Sequence, residues 1–393
     1  MITVPLDLPA PTLALQAQSA ELSQLIRQEI HHDPSASISF ERFMELALYE
    51  PKSGYYTAGL DKFGKAGDFT TAPEISPLFA RCIGRQCLQV FSHLAQPDIF
   101  EIGAGTGQLA IDLLLFLEQQ HRLPNSYKIF EISPSLRQRQ QQHLQQHIPH
   151  LFPLIEWLDA WPILPIKGVI LANEVVDALP VQQFFWTDKN IQEVRVAYEN
   201  DRFIYRLLSL DKLLKSQLIQ LKSRYFPEIK TYQSEVRTQL LAWMNQLSDT
   251  LEQGLALIID YGFPAQEYYH PDRANGTLMC YYQHRAHADP LSLVGLQDIT
   301  ASVDFSGLAQ AAVQSGLQVA GFTSQAAFLL NNDLLPLTEK CYDEISTMDV
   351  NRQVHLLTSP SEMGELIKVM GLTRNCESLP LNGFKLYDKR MRL

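Results

Sequence analysis

Glu101 stands two residues before the first glycine of Gly103-Ala104-Gly105-Thr106-Gly107, and Glu131 follows 28 residues after Gly103. A glycine turn at the tip of a strand offers main-chain N–H groups to a ligand at the start of a helix. A dinucleotide fingerprint needs G-x-G-x-x-G, but the residue where its third glycine would fall is Gln108. A carboxylate beside such a turn repels a pyrophosphate and pairs with the ammonium of an amino-acid-like ligand. An acid at the end of the second strand is where doubly wound folds hold ribose hydroxyls. An ammonium and a ribose without a pyrophosphate describe S-adenosylmethionine rather than a nicotinamide dinucleotide. The residues expected to hold it are Glu101, Gly103, Ala104, Gly105, Gly107 and Glu131, together with Asn173. Asp159 is placed to reach the adenine amino group, with Trp157 or Leu158 as an apolar wall; it reads equally well as a helix cap.

A second group of polar residues follows the fourth expected strand: Asn173, Glu174 and, three positions on, Asp177. Acids gathered at strand ends, Asp260 among them, are costly unless they meet positive charge. A sulfonium and an ammonium bring some, and a basic acceptor side chain would bring more. A guanidinium is planar and stays protonated up to about pH 12. Carboxylates that grip it orient one nitrogen and help it shed a proton as it is alkylated. Methyl transfer is an in-line displacement, so this positioning supplies most of the effect. Glu174, Asp177 and Asn173 are therefore the expected catalytic residues. The other reading of Glu174 and Asp177 is a cap on a helix beginning at Ala178.

The elements that must position these groups are legible in outline. Asp98 to Ile102 reads as a buried parallel strand and Gln108 to Leu117 as the helix after the turn. Further strands are expected at Tyr127 to Ile132, Leu154 to Leu158, Gly168 to Ala172 and Leu255 to Gly262, in a βαβ rhythm. Helices are expected at Glu21 to Ile30, at Ser39 to Tyr49 with Ser39 as cap, and at Ser76 to Phe91. Phe184 to Trp186, Glu193 to Tyr198 and Arg202 to Leu208 alternate like antiparallel strands of an insertion that caps the fold. Helices near 306–315 and 323–330 and a final strand at Phe384 to Tyr387 complete the expectation. The Gln-rich tract Arg137 to His150 reads as a solvated helix face; His143 and His147 lack a third ligand, so no metal site is expected there. His284, His287 and Asp289 carry no firm metal set either.

At 393 residues, with 46% hydrophobic and 19% charged residues, the chain has material for one large or two smaller domains. A net charge of −11 disfavours a nucleic-acid partner and suits a basic protein segment. Five scattered cysteines without a C-x-x-C pair read as thiols of a reducing compartment. With no signal or transit pattern before Arg27 and no run of 18 apolar residues, the expectation is a bacterial cytoplasmic protein without a membrane span.

Beyond the glycine turn, long stretches resemble the MidA family of S-adenosylmethionine-dependent methyltransferases, whose mitochondrial members are assembly factors for respiratory complex I. The resemblance rests on Tyr49-Glu50-Pro51 with Gly54-Tyr55-Tyr56, on Gly67 to Ser76, on Glu101 to Gly107, and on Asn173-Glu174 with Asp177-Ala178-Leu179-Pro180. It continues through Asp260-Tyr261-Gly262, Gly276-Thr277-Leu278 with His284-Arg285, Gln297 to Thr300, and Val303-Asp304-Phe305. Ala72 before Pro73 and the Gln-rich tract depart from the family pattern. The resemblance implies symmetric dimethylation of an arginine on a complex I subunit. It further implies that Asp68, Thr71, Pro73, Glu74, Tyr261, His284 and Asp298 belong to loops around the cofactor and substrate. The expected fold is α/β, a Rossmann-like class I methyltransferase with a doubly wound, mostly parallel sheet. Its expected parts are a helical N-terminal extension over 1–95, the cofactor-binding core over 96–180, an inserted cap over 181–250, and the remaining core over 251–393. A different function is also compatible, that of a cofactor-binding assembly chaperone with little methyl transfer.

Overall fold

Strands buried on both faces need apolar residues on both, and the runs Ile99-Phe100, Val169 to Ala172 and Leu255 to Ile259 supply them. In the computed structural model, which describes residues 8–58, 71–187, 190–225, 229–339, 346–376, 379 and 381–393, these runs form the centre of one sheet. Seven of its eight strands among the described residues are β1 (Asp98–Ile102), β2 (Tyr127–Phe130), β3 (Ile155–Leu158), β4 (Ile166–Asn173), β5 (Leu251–Phe263), β6 (Gln318–Ser324) and β7 (Ile367–Arg374). They lie in the order β6-β7-β5-β4-β1-β2-β3, and the short Val303–Asp304 pairs parallel with β5 off this path. The pairs from β5 through β3 are parallel, while β7 runs antiparallel to both β5 and β6. Helices α1 (Pro77–Phe91), α2 (Gln108–Gln119) and α3 (Pro134–His147) begin at Ser76, Gly107 and Ser133. Ser76 and Ser133 cap their helices by accepting main-chain N–H bonds. The chain order doubles back between β1 and β4, so β1, β2 and β4 end at the switch point where ligands of such sheets bind. This is the Rossmann-like α/β fold expected from the sequence.

By contacts the chain divides into two units. The sheet unit comprises Thr70–Val176, Leu240–Pro264 and Val303–Leu393. The second unit comprises Met1–Phe69, Asp177–Gln239 and Ala265–Ser302. Each has a core of its own. In the sheet unit Phe79, Ile83, Leu113, Ile129 and Leu257 pack together. In the second unit Leu22, Phe40, Phe43, Tyr55 and Ile299 do so. The second unit is built on antiparallel strands: Ile191–Glu199 pairs with Gln182–Trp186, Arg202–Ser209 and Ile38–Ser39, and Gln182–Trp186 also pairs with Tyr232–Val236. The N-terminal helices span Leu13–His32 and Phe40–Tyr49, the latter capped by Ser39. These units interleave along the chain, whereas the expected parts are consecutive.

Three expectations need correction. Phe384 to Tyr387 is not a strand: Asn382–Phe384 is a 3-10 turn, and the last strand is β7. Phe384 turns inward because Gly321 in β6 and Gly371 in β7 leave room; a Cβ on either would stand 2.0 and 2.7 Å from its ring. The helix expected over 323–330 begins at Gln325, since Thr323 and Ser324 finish β6. No helix starts at Ala178; residues 174–180 form turns.

Candidate functional site

The glycine turn has the geometry its residues suggest. Gly103, Gly105 and Gly107 adopt φ of +68°, +55° and +85°, values that other residues reach only with strain. Gly107 caps α2 without a side-chain bond, and the Gln108 N–H at the start of that helix donates to the Thr106 hydroxyl at 3.3 Å. Ala104 is buried within the turn. Beneath it, Glu101 is 3% exposed and accepts a bond from the Tyr127 hydroxyl at 2.8 Å. Burial pushes its carboxyl up to about 7; the Tyr127 bond opposes this and the nearby Glu131 adds to it. Glu131 lies one residue past β2, where one oxygen takes the Ser133 N–H at 2.9 Å and the other the Gln140 amide at 3.0 Å.

Glu74 reaches the same turn, accepting a bond from the Thr106 hydroxyl. Thr71 and the buried Pro73 belong to the start of the short helix Ala72–Ile75 that carries it. Asp68 lies outside the described residues. Asp159 is on the surface instead: its side chain is 90% exposed and paired with Arg137.

At the tip of β4, Asn173 donates to Glu174 at 3.2 Å, and its side-chain oxygen is buried without a hydrogen-bond partner among the described residues. Glu174 holds φ +51°, a left-handed backbone tied down by its own N–H bond to the Ile259 carbonyl at 2.8 Å. The following turn is fastened by Asp260, which is fully buried and accepts the N–H groups of Val175 and Val176 at 3.2 and 2.8 Å. Asp260 thus serves as a backbone latch, and Tyr261 beside it packs against the sheet core.

Asp177 and Asp298 both belong to the second unit, and both bear on the Tyr56 phenol. Asp177 is 8% exposed and Asp298 3%. The Tyr56 hydroxyl donates to Asp298 at 2.9 Å, and Tyr56 stacks on Tyr49, whose hydroxyl donates to the Ala178 carbonyl at 2.8 Å. Burial holds the Tyr56 phenol well above its ordinary range, with Asp298 and then Tyr49 and Asp177 adding to the effect. Both carboxylates therefore act on one phenol. Burial also pushes the Asp177 carboxyl up to about 6, against the pull of the Arg237 guanidinium. Arg237 donates to the main-chain carbonyls of Asp177 (3.1 Å), Ala301 and Ser302 (2.7 Å), which ties the Asp177 turn to the segment that follows Asp298's strand. His284 sits at the exposed tip of the hairpin Met279–Tyr282 to Arg285–His287, with φ +60°.

Tyr56, Arg237 and Gln140 were not anticipated as site residues. Tyr56 lay within the Gly54-Tyr55-Tyr56 stretch, where a signal existed. Gln140 lay in a tract whose composition reads as solvated, and nothing local distinguishes it from its neighbours.

The sheet unit fits a nucleoside with an amino-acid tail. A cradle of left-handed glycines leaves room where side chains would stand, acids flank it on two sides, and a buried amide oxygen of Asn173 has no hydrogen-bond partner among the described residues. The comparisons agree. A family model described as S-adenosyl-L-methionine-dependent methyltransferase matches residues 82–323. A Burkholderia thailandensis protein crystallised with S-adenosyl-homocysteine is 37% identical and superposes with a TM-score of 0.92 over 98% of this chain and 100% of its own. The protein arginine methyltransferase NDUFAF7 of Danio rerio mitochondria is 28% identical over 84% of this chain and 81% of its own. The Drosophila melanogaster NDUFAF7 homolog is 26% identical over 97% and 92%.

Proposed function

Because the chain belongs to the MidA family of S-adenosylmethionine-dependent methyltransferases, we propose that its acceptor is an arginine of a partner protein, gripped by Asp177 and Asp298. The observation that carries this reading is the pair of buried carboxylates acting on one phenol, Tyr56. Buried carboxylates are costly unless positive charge meets them; Arg237 meets Asp177, and an acceptor guanidinium would add the charge that Asp298 calls for. A planar guanidinium offers two N–H edges to such a pair, where a lysine ammonium offers a point charge. That relatives are named protein arginine methyltransferases supports the choice.

Bound in the glycine cradle, S-adenosylmethionine supplies an electrophilic methyl group on a sulfonium. The chain's own residues do the rest. Main-chain N–H groups of the turn and Glu101 would hold the amino-acid end and Glu131 the ribose, with Asn173 and Glu174 at the tip of β4 available to the transferring group. Asp177 and Asp298 orient one guanidinium nitrogen, which must lose a proton as its new N–C bond forms. Asp177 accepts that proton, its basicity raised by burial. Tyr56 holds the Asp298 carboxylate, and Arg237 holds the main chain at Asp177. In its full form the reading is symmetric dimethylation, on a partner connected with the assembly of respiratory complex I.

Methyl transfer from labelled S-adenosylmethionine to the peptides acetyl-Gly-Arg-Gly-amide and acetyl-Gly-Lys-Gly-amide tests the acceptor. Transfer is expected to the arginine peptide alone. Asp177→Asn and Asp298→Asn should each lower kcat/KM by about 100-fold, with S-adenosyl-homocysteine affinity unchanged. Unchanged rates in folded variants would remove these two acids from the mechanism.

A further inference from the structure

Gln140 lies in the middle of α3, in the tract whose composition looks most like a solvated surface, yet it is fully buried. Its amide nitrogen donates twice, to the Gly105 carbonyl at 2.9 Å and to Glu131 at 3.0 Å. Its oxygen accepts the Trp157 indole N–H at 3.0 Å. These three partners come from three separate segments: the glycine turn, the residue after β2, and β3. The donor and acceptor pattern admits only one orientation of the amide, because a carbonyl and a carboxylate both need N–H groups. The helix also approaches the turn closely: a Cβ on Gly107 would stand 3.1 Å from Leu144 and 3.7 Å from the Gln140 Cγ.

A buried amide must have its bonds met, but most do so within one element or with main chain alone. Here the partners include the acid assigned to the ribose and a carbonyl inside the cofactor cradle. We propose that Gln140 is a positioning residue of the cofactor site, setting Glu131 against the ribose and fixing the glycine turn and the Trp157 wall relative to it. Gln140 acts through Glu131. This rests on the reading that the sheet unit binds S-adenosylmethionine with Glu131 on the ribose hydroxyls.

The test uses the full chain and calorimetric titration with S-adenosyl-homocysteine and its 2′-deoxyribose analogue. Gln140→Leu keeps the volume and removes all three bonds. It should weaken S-adenosyl-homocysteine about tenfold to 100-fold and weaken the deoxy analogue far less, so that ribose discrimination collapses. In the Glu131→Gln background the same substitution should cost less than about threefold, since the two residues act as a unit. Equal weakening of both ligands would reduce Gln140 to a packing residue and overturn the proposal, as would unchanged affinity. Gln140→Glu gives an independent reading if the leucine variant folds poorly. The introduced carboxyl donates only when protonated, so its affinity relative to the unsubstituted protein at the same pH should fall as pH rises through its titration; a ratio that does not change with pH would contradict the proposal. Failure of the underlying reading looks different: the unsubstituted protein would not bind S-adenosyl-homocysteine, or Glu131→Gln would leave ribose discrimination intact.

Discussion

At the scale of single residues, Glu101 carries the clearest consequence. A carboxyl at about 7 beneath a site for an ammonium is mostly protonated at slightly lower pH and ionises when the cation arrives. Binding of S-adenosyl-homocysteine just below that pH should release up to one proton, measured by calorimetry in two buffers of different ionisation enthalpy. Glu101→Gln should abolish the release, and a release that survives the substitution would place its source elsewhere. The sign for stability follows. The raised carboxyl binds its proton more tightly when folded, so the unliganded protein is favoured below the usual value of 4.5 and loses that contribution as pH rises through about 7. The full span is worth about 3 kcal/mol. Asp177 is raised by burial as well, against the pull of Arg237 beside it.

At the scale of elements, the turn between β1 and α2 decides whether the cofactor fits. Gly107→Val would force a β-branched residue to φ +85° and push its side chain toward Leu144, 3.1 Å from where the Cβ would stand. The strain is worth about 1–3 kcal/mol. Titration with S-adenosyl-homocysteine should show affinity lost by at least about 100-fold, and retained affinity would mean the turn does not contact the ligand. This turn is legible in the sequence because its flanking strand, acid and glycines sit within ten consecutive residues, Asp98 to Gly107. The helices capped by Ser39 and Ser76 were legible for a like reason: each cap precedes the apolar run it starts. β6 and β7 were not. β7 is apolar on both faces and interrupted by Gly371, whose purpose is visible only once Phe384 is seen lying over it. Gln140 was hidden because its three partners are distant in sequence, and composition reports a tract's average rather than one buried member of it.

At the scale of the molecule, the chain builds two cores from interleaved segments, so consecutive cuts cannot reproduce its units. The sheet unit holds the groups proposed for the cofactor, and the second unit holds the acids proposed for the acceptor. β4 leads through Asn173 and Glu174 to Asp177, so one short stretch of chain serves both. Among the described residues no helix is long and apolar enough to cross a membrane. The net charge of −11 is compatible with drawing in a basic protein segment. The most direct test incubates the purified chain and labelled S-adenosylmethionine with protein extract from cells lacking this chain, then identifies the labelled amino acid by mass spectrometry. The label should appear as symmetric dimethylarginine in a protein, and the Asp177→Asn variant should deposit it about 100-fold more slowly. Label on lysine, or no protein label from a chain that binds S-adenosyl-homocysteine, would contradict the assignment of arginine as the acceptor.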